Sequence, residues 1–386
     1  MNTAYYLHNA RLVLKDHVIE QGAVLLEDGV IQAINPSVVA DHVQQIDLKG
    51  QTLIPGLIDL HCDALEKEVE PRPKVHFPLK FACAQADKRN ASNGITTVFH
   101  AISFANDEFG VRNNEVASKI VHTMREWNEN ALVDNRIHCR YEVTDPTALD
   151  VLLALIDKDA IDLVSIMDHS PGQGQFKDVN AFKDYLARTY KKTEAELEAL
   201  IANKIAQSEL TLSRIETLIA KAKAHNSQIA SHDDDCPEKI ELLHGFGVKV
   251  SEFPINLPAA QAAKAKGMRT IFGAPNILRG QSQSGSMRAL DAVKANVADC
   301  LCSDYHPATM LSAAFRLPEL TDISLSQAVN LVSYNPAQAA GLFDRGEIAV
   351  GKRADLVCVA QVQDVLQTRY VFSEGKLVYQ TGLSYA

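Results

Sequence analysis

Eight short apolar runs, distributed along the middle of the chain and mostly separated by helix-like stretches, constrain the fold more than any other feature of this sequence. Apolar runs of this length are typical of strands buried in a parallel sheet, and their alternation with helices is typical of βα units. The predicted strands are Thr52–His61, Ile95–Ala101, Ile137–Val143, Asp162–Asp168, Gln228–His232, Val248–Phe253, Thr270–Ala274 and Ala298–Ser303. Eight such units predict an α/β protein with a closed (β/α)8 barrel, the TIM barrel.

An open, doubly wound parallel sheet is the alternative fold, but the first predicted strand lacks the Gly-rich turn that follows it in dinucleotide-binding sheets. The clearest predicted helix begins at Thr193, where Glu196 gives capping-box spacing, and continues through apolar positions to Ile219. We expect this helix to pack one face on the barrel strands, and a dimerisation helix is the alternative.

Both ends of the chain carry short β-like runs joined by turns, of which Asp28-Gly29 and Glu374-Gly375-Lys376 are examples. Neither end has enough apolar residues to form a core alone, so we expect the two ends to build one small β-sandwich. The predicted domains are therefore a β-sandwich of residues 1–53 with 345–386 and a barrel of residues 54–344.

The charge balance, 38 Lys and Arg against 48 Asp and Glu, gives a net charge of −10 and argues against a nucleic-acid or membrane-surface binder. Seven scattered cysteines indicate reduced thiols rather than a disulfide framework. The first eleven residues lack a signal-peptide pattern, and the apolar runs are too short to span a bilayer. We therefore expect a cytoplasmic protein.

Residues that could bind a metal ion lie at, or directly after, the carboxyl ends of six of the eight predicted strands, on the barrel face where active sites are built. His61 and Asp63 point the same way because side chains alternate along a strand. The predicted ligands are His61, Asp63, Glu142, His232, Glu252 and Asp304. Asp168 is a candidate substrate contact, and His169 and His306 are candidates either for a ligand or for a substrate or supporting contact. A polar residue after one strand is most simply a loop residue, but six together predict one or two divalent ions, Zn²⁺ or Mn²⁺.

Cationic and small polar residues occupy three loops on the same predicted rim. Arg72 and Lys74 follow the first strand, residues 170–174 follow the fourth, and Arg279 lies in a Gly- and Ser-rich loop after the seventh. A guanidinium group binds phosphate oxygens bidentately. These loops predict a substrate that carries phosphate groups.

Three segments together resemble the amidohydrolase superfamily. They are residues 54–61 (IPGLIDLH), 335–337 (NPA) and 346–357 (GEIAVGKRADLV). The resemblance implies a metal-dependent (β/α)8 barrel with a small β-sandwich and a homodimer. Asp63 and Glu252 stand where histidines are usual in that superfamily, which indicates a particular branch.

That branch resembles the PhnM family of diphosphatases from the carbon–phosphorus lyase pathway. The segments that carry the resemblance are residues 70–75 (EPRPKV), 167–173 (MDHSPGQ), 230–234 (ASHDD), 273–277 (GAPNI) and 303–305 (SDY). It implies hydrolysis of α-D-ribose 1-methylphosphonate 5-triphosphate, a phosphorylated ribose phosphonate, to the 5-phosphate and pyrophosphate.

The resemblance also implies roles for single residues. Asp304 would orient or deprotonate the attacking water, and Arg72, Lys74 and Arg279 would neutralise the triphosphate. Two alternatives remain at this point: hydrolysis of a C–N bond in a cyclic amide, and a non-catalytic subunit of the phosphonate pathway. The cationic loops favour the phosphoric anhydride over the amide.

Overall fold

The computed structural model of the protein describes residues 4–105, 112–168, 211–282 and 285–382, and its strands fall into two sheets. Five strands lie near the amino terminus: β1 (Tyr5–Val13), β2 (Val18–Glu27), β3 (Val30–Ile34), β4 (Gln44–Asp47) and β5 (Thr52–Pro55). Eight lie in the middle: β6 (Leu57–Cys62), β7 (Ile95–Phe104), β8 (Asp134–Glu142), β9 (Leu163–Met167), β10 (Gln228–His232), β11 (Val250–Glu252), β12 (Arg269–Gly273) and β13 (Cys300–Cys302). The last are β14 (Leu356–Val362), β15 (Val365–Ser373) and β16 (Lys376–Gln380).

The helices of the described residues lie mostly between the middle strands, as the alternating pattern predicts. They are α1 (Ala64–Val69), α2 (Leu79–Ser92), α3 (Asn114–Trp127), α4 (Pro146–Ile156), α5 (Thr211–Ala224), α6 (Pro237–Gly245), α7 (Leu257–Ala265), α8 (Ala274–Arg279), α9 (Ala289–Lys294), α10 (Thr309–Leu320), α11 (Leu325–Asn330) and α12 (Tyr334–Ala339). The predicted helix start at Thr193 lies outside the described residues, and its end corresponds to α5, which buries Ile215, Leu218 and Ile219.

The middle strands form a parallel sheet in chain order from β6 to β13, which confirms the predicted barrel. The first and last strands meet through two backbone bonds: Asp304 N–H donates to the His61 carbonyl over 2.9 Å, and Asp63 N–H donates to the Asp304 carbonyl over 2.8 Å. The buried Asp59 carboxylate adds to this seam by accepting the Ser303 N–H over 3.0 Å. These bonds nearly close the barrel at the strand ends where the site residues lie.

The barrel interior is filled by apolar side chains, and Ile58, Phe99, Leu163 and Ile271 belong to this cluster. Alanines at the end of α12 pack against the same cluster. Near the amino ends of the strands, Ile58 N–H donates to the Val332 carbonyl over 2.8 Å. One end of the barrel is therefore covered by α12, and the predicted site residues lie at the other end.

Strands from both termini form one mixed sheet, as the sequence predicts for a small β domain. Its order is β16-β15-β14-β5-β1-β2-β3, with β4 paired to β1. The predicted turns at Asp28-Gly29 and Glu374-Gly375 join β2 to β3 and β15 to β16. The domain boundaries at residues 53/54 and 344/345 stay a prediction, although the change from one sheet to the other falls close to the first of them.

The predicted strand Thr52–His61 is wrong as a single strand, because it divides at Gly56 into β5 and β6. Gly56 N–H donates to the Asp355 carbonyl over 2.8 Å in the terminal sheet, while Leu57 N–H donates to the Gly94 carbonyl over 2.9 Å beside the barrel. One apolar run therefore serves two sheets.

In the described part of the chain, no helix combines the length and apolar character needed to cross a membrane.

Candidate active site

A cleft of about 150 Å³ lies at the carboxyl ends of the barrel strands. It brings together residues that are far apart in the chain, from the ends of β6, β8, β10 and β13. Its polar lining includes His61, Asp63, Arg140, His232, Asp233, Asn276, Arg279, Asp304 and Tyr305. The chemistry of the barrel is therefore concentrated where the sequence predicts it.

Three buried groups form a compact cluster beneath this cleft. The possible ligand atoms of His61, His138 and Glu252 all lie within 4.8 Å of one another. His61 Nδ1 lies 3.2 Å from Glu252 Oε1, and His138 Nε2 lies 3.5 Å from Glu252 Oε2. Two imidazoles and one carboxylate are thus directed at a common point.

The strands fix these three side chains by hydrogen bonds as well as by burial. Ser165 on β9 donates its hydroxyl to Glu252 Oε2 over 2.6 Å. His138 Nδ1 lies 3.0 Å from the carbonyl oxygen of Leu60, one residue before His61. The imidazole of His138 therefore donates from Nδ1 and presents Nε2 to Glu252.

The protonation of the cluster follows from burial and charge. Burial opposes the charged form of each group, but the carboxylates of Glu252 and Asp63 raise the pKa of His61 to about 10. Burial lowers the pKa of His138 to about 3, so this imidazole is neutral. Although burial favours its protonated form, Glu252 is ionised because the neighbouring imidazoles lower its pKa to about 2.

Asp63 lies between His61 and an arginine. Asp63 Oδ1 is 3.4 Å from His61 Nε2, and Arg140 Nη1 donates to the two carboxylate oxygens over 3.2 and 3.3 Å. Burial favours protonation of this carboxyl, but the Arg140 and His61 charges hold the pKa of Asp63 well below its usual value. Asp63 is therefore a carboxylate with a resident cationic partner.

Asp304 follows β13 and is held by its backbone in the left-handed region, with φ of 54°. Aspartate tolerates this conformation better than most residues. Burial, and then the negative charge of Asp63, raise the pKa of Asp304 to about 7. A carboxylate with a pKa near neutrality is suited to accept a proton.

The other predicted ligands lie around this cluster. The imidazole ring of His232 is 5.7 Å from that of His61, and its Nδ1 is 3.2 Å from Asp233 Oδ2. Glu142 accepts the Thr144 hydroxyl over 2.6 Å, and among the described residues the compact cluster does not include it. Their roles as ligands, like those of Asp63 and Asp304, stay predictions.

The predicted phosphate-binding residues separate into two groups. Arg279 lines the cleft and donates to the Tyr305 hydroxyl over 3.1 Å. Arg72 and Lys74 lie on an exposed turn, and neither is among the described residues that line the cleft. Asp168 follows β9 and is half-buried, whereas His169 and the loop of residues 170–174 lie outside the described residues.

The Amidohydrolase family model matches residues 52–378, which include the whole barrel and, of the terminal sheet, β5, β14, β15 and part of β16. The chain belongs to the amidohydrolase family. It is 35% identical to the α-D-ribose 1-methylphosphonate 5-triphosphate diphosphatase of Escherichia coli (strain K12), over 97% of this chain and 100% of that protein.

Solved structures show the same fold at low sequence identity. The N-acetylglucosamine-6-phosphate deacetylase of Pasteurella multocida has a TM-score of 0.66 at 15% identity, covering 97% of this chain and 99% of that chain. The 5-methylcytosine deaminase of Klebsiella pneumoniae has a TM-score of 0.66 at 15% identity, covering 99% of this chain and 98% of that chain. At these identities the likeness concerns the fold alone.

Two residues of this amidohydrolase site are absent from the sequence-based prediction, His138 and Arg140. Both precede Glu142 on β8, and the spacing of two places all three on one face of the strand. The signal is the alternation of polar and apolar residues over positions 138–142 (HCRYE) within an otherwise buried run. A search confined to strand ends overlooks residues such as Arg140 and His138, which lie two and four positions before the last residue of β8.

The cluster fits the metal dependence of the amidohydrolase family. Imidazole nitrogen and carboxylate oxygen are ligands of Zn²⁺ and Mn²⁺, and catalytic zinc sites use three protein ligands with one open position. All three groups are at least 99% buried, so a divalent cation would offset the cost of a buried carboxylate. His61, His138 and Glu252 could therefore hold a divalent metal ion.

Proposed function

We propose that this protein hydrolyses a phosphoric anhydride bond of α-D-ribose 1-methylphosphonate 5-triphosphate, giving the 5-phosphate and pyrophosphate in phosphonate catabolism. The observation that carries the proposal is that the cleft places Arg140 and Arg279 beside a cluster suited to a divalent ion. Guanidinium groups complement phosphate oxygens in charge and geometry. The similarity to the Escherichia coli diphosphatase supports the same substrate.

His61, His138 and Glu252 would hold the ion, and Zn²⁺ or Mn²⁺ matches their donor atoms. When bound, such an ion polarises phosphoryl oxygens and lowers the pKa of a water molecule. Asp304 would accept the proton of the attacking water, because it lines the cleft and has a pKa near neutrality. His232 lines the cleft close to His61 and is placed to contact either the ion or a substrate oxygen.

Arg279 would bind the phosphate chain at the outer part of the cleft. Its contact with Tyr305 holds the guanidinium beside the loop that follows Asp304. A positive charge at this place would stabilise the departing pyrophosphate as the anhydride bond breaks. Arg72, Lys74, Asp168 and His169 remain candidate substrate contacts from the sequence.

We also propose that the protein works in the cytoplasm as a homodimer. The seven cysteines are all free, and six of them are buried, which suits a reducing compartment. The dimer rests on superfamily analogy, and sedimentation of the purified protein tests it.

The proposed reaction is tested by a substrate panel with the metal-loaded protein. We expect pyrophosphate release from the ribose 1-methylphosphonate 5-triphosphate, and no turnover of dihydroorotate or hydantoin. Turnover of a cyclic amide without pyrophosphate release would favour C–N hydrolysis instead. Binding of the phosphonate without turnover of any of these compounds would favour a non-catalytic subunit.

A further inference from the structure

Arg140 occupies an unusual place for a cation in a metal-binding barrel. It lies on β8 between His138, a member of the compact cluster, and Glu142 at the end of the strand. Its side chain is 9% exposed, and its guanidinium both lines the cleft and contacts Asp63. The guanidinium is therefore part of the catalytic cleft rather than of the outer surface.

Both oxygens of the Asp63 carboxylate contact this arginine. Arg140 Nη1 lies within hydrogen-bonding distance of both carboxylate oxygens, at 3.2 and 3.3 Å. A divalent ion ligated by Asp63 would approach the same oxygens to about 2.0–2.2 Å. The two cations would repel each other, and a guanidinium cannot lose its proton to relieve the repulsion.

His61 divides the site into two halves. Its Nδ1 faces Glu252 at 3.2 Å, and its Nε2 faces Asp63 at 3.4 Å. A neutral imidazole that binds an ion through one nitrogen donates from the other, commonly to a carboxylate that orients the ring. This arrangement makes Asp63 the carboxylate that orients His61, with Arg140 behind it.

We propose that Arg140 takes the place of a second metal ion: the site holds one divalent ion, and the Arg140 guanidinium supplies the second positive charge to the phosphate chain. This inference rests on the proposed function for the identity of the natural ligand. It assigns Arg140 as a phosphate-binding residue and fixes the metal content at one ion per chain.

The test is an ion count combined with binding of inorganic pyrophosphate. The wild-type protein is saturated with Zn²⁺ or Mn²⁺, dialysed and analysed for metal, and pyrophosphate affinity is measured by calorimetry. We expect one ion per chain. Arg140→Met keeps the side-chain length without the charge, and should weaken pyrophosphate binding roughly ten- to a hundredfold, the usual effect of losing a charged hydrogen bond.

Arg136→Met is the matched control, because Arg136 lies on the same strand and contacts the carboxylates of Asp134 and Asp162 away from the cleft. It should bind pyrophosphate like the wild type. Arg140→Lys retains a charge, so it should bind more tightly than Arg140→Met even if the methionine variant folds poorly.

Two ions per wild-type chain, or equal pyrophosphate affinity in Arg140→Met and Arg136→Met, would overturn the inference. The proposed function fails separately, if the ribose 5-triphosphate is not hydrolysed by a protein that holds one ion and binds pyrophosphate through Arg140.

Discussion

The backbone N–H of Asp304 donates to the carbonyl oxygen of His61 over 2.9 Å. Asp63, which lies two residues after His61 and directly follows β6, returns a hydrogen bond from its own N–H to the Asp304 carbonyl over 2.8 Å. The candidate base and a candidate metal ligand are thus joined by the main chain at the seam where the barrel closes. Because these bonds use no side-chain atoms, substitutions of either side chain leave the seam intact.

The first prediction concerns Asp304→Asn, which keeps the size of the side chain but removes its basic carboxylate. Turnover should fall by about 10²-fold or more, the usual contribution of a positioned general base. Metal content and melting temperature should stay near wild-type values, because the ion cluster and the seam are unchanged. Near-normal turnover would move the base to another carboxylate, such as Glu142 or Asp168.

The pKa of Asp304 also predicts how kcat/KM depends on pH. Burial and the Asp63 charge raise the pKa of Asp304 to about 7 before an ion is bound, and a bound cation lowers it by favouring the carboxylate. The base acts when deprotonated, so kcat/KM should decline as pH falls through an apparent pKa below 7. This acidic limb should disappear in Asp304→Asn, and its persistence there would assign it to a different group.

The second prediction tests the cluster of His61, His138 and Glu252. It does so through His138, which is absent from the sequence-based prediction. His138→Ala should remove most of the bound divalent ion, because it deletes one of three donors that lie within 4.8 Å of one another. The matched control is His100→Gln, which alters a buried histidine on β7 that is outside this cluster. Metal analysis of both variants after dialysis decides the matter: equal ion content would exclude His138 as a ligand.

The third prediction separates the arginines of the two predicted cationic loops. Arg279→Ala should lower kcat/KM for the 5-triphosphate by roughly ten- to a hundredfold, since a charged contact to phosphate is lost. The loss should be smaller with a 5-diphosphate. If Arg72 also contacts the substrate, as the sequence predicts, Arg72→Ala should cause a similar loss. Because Arg72 lies on an exposed turn off the described cleft lining, a change of no more than about twofold, as is usual for surface positions, would remove it from the site. A larger loss in Arg72→Ala would place that turn at the substrate.

Most of the barrel could be predicted because each of its strands is a short apolar run bounded by polar residues. The pattern also indicates which rim carries the chemistry, since polar residues that follow parallel strands meet at one end. The apolar pattern could not show that the predicted strand Thr52–His61 divides into β5 and β6. The run is apolar throughout, and only the hydrogen bonds of Gly56 and Leu57 assign its two parts to different sheets.

The site could be predicted at the strand ends and not within the strands. His61 is the last residue of one predicted strand and Glu252 is the last but one of another, and the structure brings them together. His138 lies inside a predicted strand, where a histidine is most simply a buried core residue. Its place in the cluster depends on the barrel arrangement, which brings His138 on β8 to Glu252 on β11, a tertiary relationship with no local sequence signal.

The fourth prediction concerns the joint between the two sheets. A Cβ atom at Gly56 would lie 2.7 Å from Thr96 Cγ2, inside van der Waals contact, and Thr96 is fully buried on β7. Gly56→Ala should therefore lower the free energy of unfolding by about 1–3 kcal/mol, the usual cost of overpacking. Gly245→Ala is the control, because nothing lies within 4 Å of its Cβ. Equal midpoints of denaturant unfolding would contradict the predicted collision.

The last prediction concerns how the free energy of unfolding depends on pH. It involves a buried hydrogen-bond network that joins His100 on β7 to Asn135 and Asp87. His100 is fully buried, and its Nε2 lies 2.9 Å from Asn135 Oδ1. Asn135 donates in turn to the buried Asp87 over 3.0 Å. Burial lowers the pKa of His100 below its ordinary value of 6.5, against the smaller effect of the Asn135 hydrogen bond.

The sign follows from proton counting. Below about pH 6.5 the unfolded chain protonates this histidine and the folded protein does not, so the free energy of unfolding falls as pH falls. One such group contributes at most about 1.4 kcal/mol per pH unit. In His100→Gln this contribution is absent, while other buried histidines such as His138 still titrate. Denaturant unfolding of the metal-free proteins at pH 7 and pH 5.5 should therefore show a larger loss of stability in the wild type than in His100→Gln. Equal losses would mean that His100 is protonated in the folded state, and that the Asn135 contact outweighs burial.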